Sequence, residues 1–191
     1  MTLSEKTDEE IAARVQGGDV ESFGLLVERY EPKLMRYARK FLLATEDAQD
    51  VIQEVFIKSY SNIQGFDVAR KFSSWIYRIA HNEFINAGKR RSRLAGFTLN
   101  FDIDLLLPYA VAEETADGMT QKRELRELLD QSLEKLTPKY REPLVLYFFE
   151  EMDYQQISEV LQIPISTVGV RLQRGKAMLR KFVQSKDSSY E

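Results

Sequence analysis

Apolar residues recur three and four positions apart along most of the chain, the spacing of helices that bury one face. Asp8 to Gln16 reads as a short first helix. A longer one starts at Asp19 or Glu21 and carries Phe23, Leu26, Val27, Tyr30, Leu34, Tyr37 and Phe41 on one face. Pro32 interrupts that pattern, as a kink or a boundary. Thr45 is a suitable N-cap for a third helix through Val51, Val55 and Tyr60. The stretch NIQGFD, with Gly65, breaks the period, and a fourth helix is expected from Ser73 to Ala87, with Gly88 as its stop.

From Lys89 the pattern changes. The basic run KRRSR leads into a stretch with no sustained helical period that includes Pro108. It is too long for a connection inside one compact domain, so residues 94–118 read as an interdomain linker, although an unusually apolar one. A second helical block begins near Met119, with Leu125, Leu128, Leu129, Leu133 and Leu136 as its stripe. Thr137 then caps a helix that has Pro138 at its favoured first position. The expected fold is all-α: two small helical domains, residues 1–93 and 119–184, joined by that linker and followed by a disordered tail, 185–191.

The end of the second domain has a recognisable grammar. Asp153 can cap a short helix with Ile157, Val160 and Leu161 inward. Pro164 disfavours helix at Ile163, which makes a tight turn, and Ser166 is an N-cap candidate for the next helix. Val168, Leu172 and Leu179 face inward there, while Arg171, Arg174 and Lys181 face elsewhere. Short helix, tight turn and basic helix make a helix-turn-helix, whose second helix enters the DNA major groove. Two details sit poorly with it. Gln162 stands where a glycine often eases the turn, and Gly169 and Gly175 lie inside the second helix at a cost of roughly 1 kcal/mol each relative to Ala.

Charge sharpens the question. The chain carries a formal net charge of -3, yet Arg171, Arg174, Lys176, Arg180 and Lys181 follow one another with no acid among them. A second basic stretch, with Arg70, Lys71, Arg78 and Lys89 to Arg93, is interleaved with Phe66, Phe72, Trp75, Tyr77 and Phe84. Cations that follow a backbone and rings that stack on bases suit single-stranded nucleic acid. The absence of cysteine excludes disulfides and thiol catalysis, and His81, the single histidine, cannot build a histidine metal site. With no phosphate-binding glycine loop either, the expectation is a protein that is not an enzyme and needs no cofactor or metal. No apolar run is long enough to insert in a membrane, and the acidic, polar N-terminus is unlike a secretory signal, so a cytoplasmic protein is expected.

Three segments, in order, resemble the sigma-70 class of bacterial sigma factors, in its small extracytoplasmic-function (ECF) group. EDAQDVIQEVFIKSY resembles the region that grips core RNA polymerase. FSSWIYRIAHN resembles the region that melts and reads the minus-ten element. LTPKYREPLVLYFFEEMDYQQISEVLQIPISTVGVRLQRGKAMLR resembles the domain that reads the minus-thirty-five element. The resemblance covers nearly the whole chain, and the lack of a third domain fits this minimal group.

The resemblance implies roles by position. Asp47, Asp50, Gln53, Glu54, Phe56 and Ile57 match the helix that docks on the polymerase clamp. Phe66, Arg70, Lys71, Phe72 and Asn82 match the loop and helix that capture a flipped, unpaired base. Tyr77, Arg78 and His81 are expected to contact the strand, whereas the spacing of Phe72, Trp75, Ile76 and Ile79 favours Trp75 as core. Ser166, Thr167, Arg171, Arg174 and Lys176 match positions beside the minus-thirty-five duplex, and Gly169 stands where the family often has a basic residue. The implied partners are core RNA polymerase, promoter DNA as duplex and as melted strand, and an anti-sigma protein. The alternative is a free-standing helix-turn-helix regulator that binds duplex DNA as a dimer, which would leave the aromatic and basic first domain without a use.

Overall fold

A computed structural model describes residues 6–41, 45–94 and 129–187, and every regular element among them is helical. Helix α1 (Asp8–Gln16) begins at a capping box: Glu10 N–H donates to the Thr7 hydroxyl, and Thr7 N–H donates to the Glu10 carboxylate at 2.8 Å. A 3-10 turn capped by Asp19 leads into α2 (Phe23–Phe41). Helix α2 continues through Pro32. That residue is exposed, so the carbonyl deprived of its amide partner lies toward water. Helix α3 (Thr45–Ser61) starts at Thr45 itself, which is therefore helical instead of a cap.

Helix α4 (Phe72–Leu94) runs beyond Gly88, the predicted stop. A helical glycine costs only about 1 kcal/mol relative to Ala, and the basic residues after it continue the helix. The four helices enclose Ile11, Leu26, Tyr30, Leu34, Tyr37, Val55, Phe72 and Ile76, each fully or almost fully buried. Edge-to-face ring pairs order this core: Tyr30 meets Phe72 at 5.4 Å and Tyr37 meets Tyr77 at 5.2 Å.

The second domain comprises helical residues 129–134 (α5), α6 (Pro138–Phe148), α7 (Tyr154–Leu161) and α8 (Ile165–Asp187). Leu133 and Leu136 are buried, as the leucine stripe predicts. Thr137 takes the N-cap position of α6, but its buried hydroxyl makes no hydrogen bond. The guanidinium of Arg141 instead ties α5 to α6, donating to the carbonyls of Leu133, Glu134 and Leu136 at 2.6–2.9 Å. Helix α8 extends three residues into the predicted tail, through Asp187. The linker beyond Leu94, together with Leu125 and Leu128, lies outside the described residues.

The domains meet through α4 against α7 and α2 against α6. Among the described residues no helix is long and apolar enough to cross a membrane, and no acidic or histidine cluster could hold a metal ion.

Candidate nucleic-acid interface

The helix-turn-helix is built from α7 and α8. Asp153 and Gln156 form a capping box at the start of α7. At its end Gln162 adopts a left-handed conformation, φ 54°, the job a glycine more often does. The Ser158 hydroxyl donates to the Ile163 carbonyl at 2.6 Å and fixes the turn. The Pro164 carbonyl accepts from Thr167 and Val168 N–H, so α8 starts before Ser166. Ser166 is thus inside the first turn, not its cap, and is exposed. Val168 and Leu172 are fully buried and dock α8 onto α7.

What remains outward on α8 is one stripe: Ser166, Val170, Gln173, Arg174 and Ala177, continuing to Lys181. Thr167 and Arg171 are half-buried at its margin. Lys176 lies elsewhere, over the rings of Tyr147 and Phe148 at 4.9 and 5.2 Å. Sequence reasoning followed charge and missed Val170 and Gln173; only the helical phase set by Val168 and Leu172 reveals them. Gly175 is needed for packing, because a Cβ there would stand 2.9 Å from Leu144 Cδ1 and 3.2 Å from the Tyr140 carbonyl oxygen.

On α3, Asp50, Gln53, Ile57 and Tyr60 form another exposed stripe, three and four residues apart. Ile57 is 60% exposed, and the Tyr60 ring leans on Phe23 at 5.2 Å. Glu54 is half-buried and pairs with Lys58, which also reaches Glu83 at 2.8 Å. Phe56 is buried and anchors the helix from below. Asp47 lies on α3, but its side chain is outside the described set.

The loop between α3 and α4 is held from α1. The Gln16 side-chain amide donates to the carbonyls of both Ile63 and Phe66 at 2.7 Å. Glu9 accepts from Phe72 N–H at 3.0 Å, capping α4 from another helix. Phe66 and Phe72 are buried and stack with Trp75, at 5.1 Å for Phe66 and 5.5 Å for Phe72. Beside them is a cleft lined by Phe66, Arg70, Lys71, Ser74, Trp75 and Arg78. Trp75 is half-buried, so it serves both core and cleft. The Ser74 hydroxyl is buried without a hydrogen-bond partner. Asn82 continues this face of α4 and is exposed.

Tyr77 and His81 are placed differently from the expectation of strand contacts. Both are buried where α4 meets the second domain. His81 Nδ1 is 2.6 Å from Glu142 Oε1, which also accepts from the Tyr37 hydroxyl. The Tyr77 hydroxyl donates to Glu150, which Arg36 grips with two N–H groups at 3.0 and 3.1 Å. Burial and the carboxylate push the Tyr37 and Tyr77 phenols well above their ordinary pKa, while the hydrogen bond to Glu150 raises that of Arg36. Arg70 pairs with Glu159 of α7 at 2.7 Å, and Glu159 walls one side of the cleft.

An all-helical pair of domains, one with a basic aromatic cleft and the other with an exposed helix-turn-helix stripe, defines a DNA-directed helical factor. Two family models divide the chain accordingly: sigma-70 region 2 over residues 26–94 and sigma-70, region 4 over residues 126–179. The ECF RNA polymerase sigma factor SigW of Bacillus subtilis is 35% identical over 176 residues, covering 88% of this chain and 92% of that protein. The RNA polymerase sigma-H factor of Pseudomonas aeruginosa is 32% identical over 189 residues, covering 95% and 96%. Among solved structures, CnrH in complex with the cytosolic domain of CnrY superimposes with a TM-score of 0.69 at 24% identity, over 94% of this chain and 99% of that one. The sigma factor RpoE with the anti-sigma factor NepR from Bartonella quintana gives 0.69 at 18% identity, over 86% and 98%. The chain belongs to the sigma-70 family, in its ECF group. It is an alternative sigma factor that directs RNA polymerase to promoters, and the free-standing regulator is not favoured.

Proposed function

We propose a division of this work among the residues just placed. The unit from residue 1 to 93 docks on core polymerase through α3, with Asp50, Gln53 and Glu54 as polar contacts and Ile57 as an apolar anchor; Asp47 extends the same helix. A polar rim around one exposed aliphatic group is the composition of a specific protein interface. The cleft of Arg70, Lys71, Trp75 and Arg78 takes a flipped base of the melted minus-ten strand, with Asn82 beside it. Phe66 and Phe72 support the cleft from beneath. The unit from 119 to 184 reads the minus-thirty-five duplex through Ser166, Thr167, Arg171 and Arg174, with Lys176 at the edge.

The observation that carries this reading is the cleft itself. It joins three cations, an aromatic wall and a buried serine hydroxyl with no protein partner. Base flipping costs a few kcal/mol, and stacking plus an unsatisfied hydroxyl are the groups that offset it. The protein works by binding alone, in the cytoplasm where polymerase and DNA are, and an anti-sigma protein regulates it. Support for that last role comes from the two structural relatives just described, both complexes, one of them with a named anti-sigma factor.

Transcription in vitro tests the assignment. The protein is added to sigma-free core polymerase on a library of promoter fragments, beside Asp50→Arg and Asn82→Ala variants. Specific transcripts are expected with the parent chain. Asp50→Arg should lose core binding, whereas Asn82→Ala should keep core binding and lose promoter opening. Full transcription by both variants would remove these residues from the proposed interfaces.

A further inference from the structure

We infer that α1, which lines no part of the cleft, carries its positioning residues: Gln16 and Glu9 hold the loop and the start of α4 in the arrangement that captures a flipped base. The inference rests on the cleft being the base-capturing site.

The cleft has two walls of different kinds. Ser74, Trp75 and Arg78 stand on α4, whereas Arg70 and Lys71 stand on the loop before it. Residues 67–71 of that loop are all exposed. Its own bonds are local. Phe66 N–H donates to the Ile63 carbonyl at 3.0 Å, Ala69 N–H to the Asp67 carboxylate at 3.0 Å and Arg70 N–H to the Asp67 carbonyl at 2.9 Å. These bonds fold the loop on itself without setting where it lies against α4. A segment with few buried contacts moves readily unless something outside it holds it.

Helix α1 supplies the hold. A side-chain amide has two N–H donors on one nitrogen, and Gln16 spends one on the Ile63 carbonyl and the other on that of Phe66, each at 2.7 Å. Gln64 returns the contact by donating to the Gln16 carbonyl at 3.2 Å. Glu9 works at the other wall. The first N–H groups of α4 need an acceptor from outside the helix, and the side chain of Lys71, just before it, only donates. Glu9 accepts from Phe72 N–H at 3.0 Å, and its charge suits a helix N-terminus. Glu9 and Gln16 lie on one face of α1, so one rigid piece fixes both walls. That piece is itself immobilised. Ile11, Ala12 and Val15 are buried, and Asp8 accepts from Arg29 and from the Tyr30 hydroxyl of α2, each at 2.6 Å.

The test reads base discrimination by the polymerase holoenzyme formed with the full-length chain. Premelted fragments of a promoter recovered from the transcription assay carry each of the four bases, in turn, at each minus-ten position of the non-template strand. The captured position is the one at which the parent discriminates and Asn82→Ala does not. There Gln16→Met and Glu9→Ala should each lose at least about tenfold of the parent's discrimination, since a displacement of about 1 Å can cost about a hundredfold. Glu9→Gln keeps an acceptor and should keep the discrimination. So should Arg14→Ala, which removes an exposed ion pair of the same helix. Affinity for core polymerase should be the parent's in all four variants. A loss of stability alone would lower binding of the four fragments alike and leave their ratio unchanged.

Unchanged ratios in both Gln16→Met and Glu9→Ala overturn the inference. So does an equal loss in Arg14→Ala, or a parallel loss of core binding. Glu9→Gln behaving like Glu9→Ala overturns the role given to Glu9. The capping box of α1 uses Thr7 and Glu10, so the Glu9 variants leave that cap intact and carry the test if Gln16→Met fails to fold. Failure of the cleft assignment looks different: Asn82→Ala then discriminates like the parent at every position, and both readings fall.

Discussion

Gly169 and Gly175 lie six residues apart in one helix, and sequence alone charges both with the same helical penalty. Their surroundings separate them. A Cβ on Gly175 meets Leu144 and the Tyr140 carbonyl too closely, whereas one on Gly169 meets only Tyr154, at an ordinary 3.7 Å. Gly175→Ala should therefore lower stability by about 1–3 kcal/mol, the range for overpacking. Gly169→Ala should raise it by up to about 1 kcal/mol through helix propensity. Urea titrations of the two variants would settle the opposite signs. Gln162 is a similar case: left-handed backbone costs a side-chain-bearing residue roughly 1–2 kcal/mol, so Gln162→Gly should not destabilise the turn by the usual glycine penalty. Nothing local in the sequence distinguishes these positions, because the distinction lies in what packs across from them.

Elements were legible where their signals are local. The bounds of α1 follow from its caps, Asp153 does cap α7, and the buried positions of α8 agree with the reading of Val168 and Leu172. Elements were misread where a breaker was met by a cheap solution. Gly88 costs α4 too little to end it, and of the two readings of Pro32 the boundary is set aside because α2 runs through it on an exposed flank. The outward face of α8 was half legible: Arg174 was visible by charge, Val170 and Gln173 only by phase. An aliphatic group and an amide on that face suit a thymine methyl and an adenine edge. Gln173→Ala is expected to change preference at one base pair by about 1–3 kcal/mol, while Arg180→Ala weakens all sequences alike. Binding of the polymerase holoenzyme to a randomised promoter library distinguishes the two. Between α5 and α6 the fastening is Arg141, whose charged form burial disfavours. Arg141→Met would remove three hydrogen bonds to carbonyls, of which that of Leu133 keeps the Leu136 N–H as a partner, for a loss of at least about 2 kcal/mol in a thermal or chemical melt.

At the scale of the molecule, the sequence foresaw two helical units but not how they meet. Tyr77 and His81 read as surface because their partners, Glu150 and Glu142, lie 73 and 61 residues away along the chain. Long-range polar pairing leaves no periodic trace. It does leave a physical one. Arg70 and Glu159 are 54% and 26% exposed, so that pair is open to screening. Raising salt until the Debye length falls to about 3 Å should loosen the contact, and small-angle X-ray scattering should then show a larger radius of gyration at unchanged helicity.

The grip of α1 on the loop before α4 bears on how this protein can be divided. The region 2 match starts at residue 26, yet Glu9 caps α4 and Gln16 holds the carbonyls of Ile63 and Phe66 from outside that span. A fragment cut at the edge of the family match would keep every side chain proposed to capture a base and lose the scaffold that aims them. On the proposed assignment, the smallest piece expected to recognise melted DNA is larger than the piece that carries the recognisable motif, and it includes α1 with its Thr7 cap.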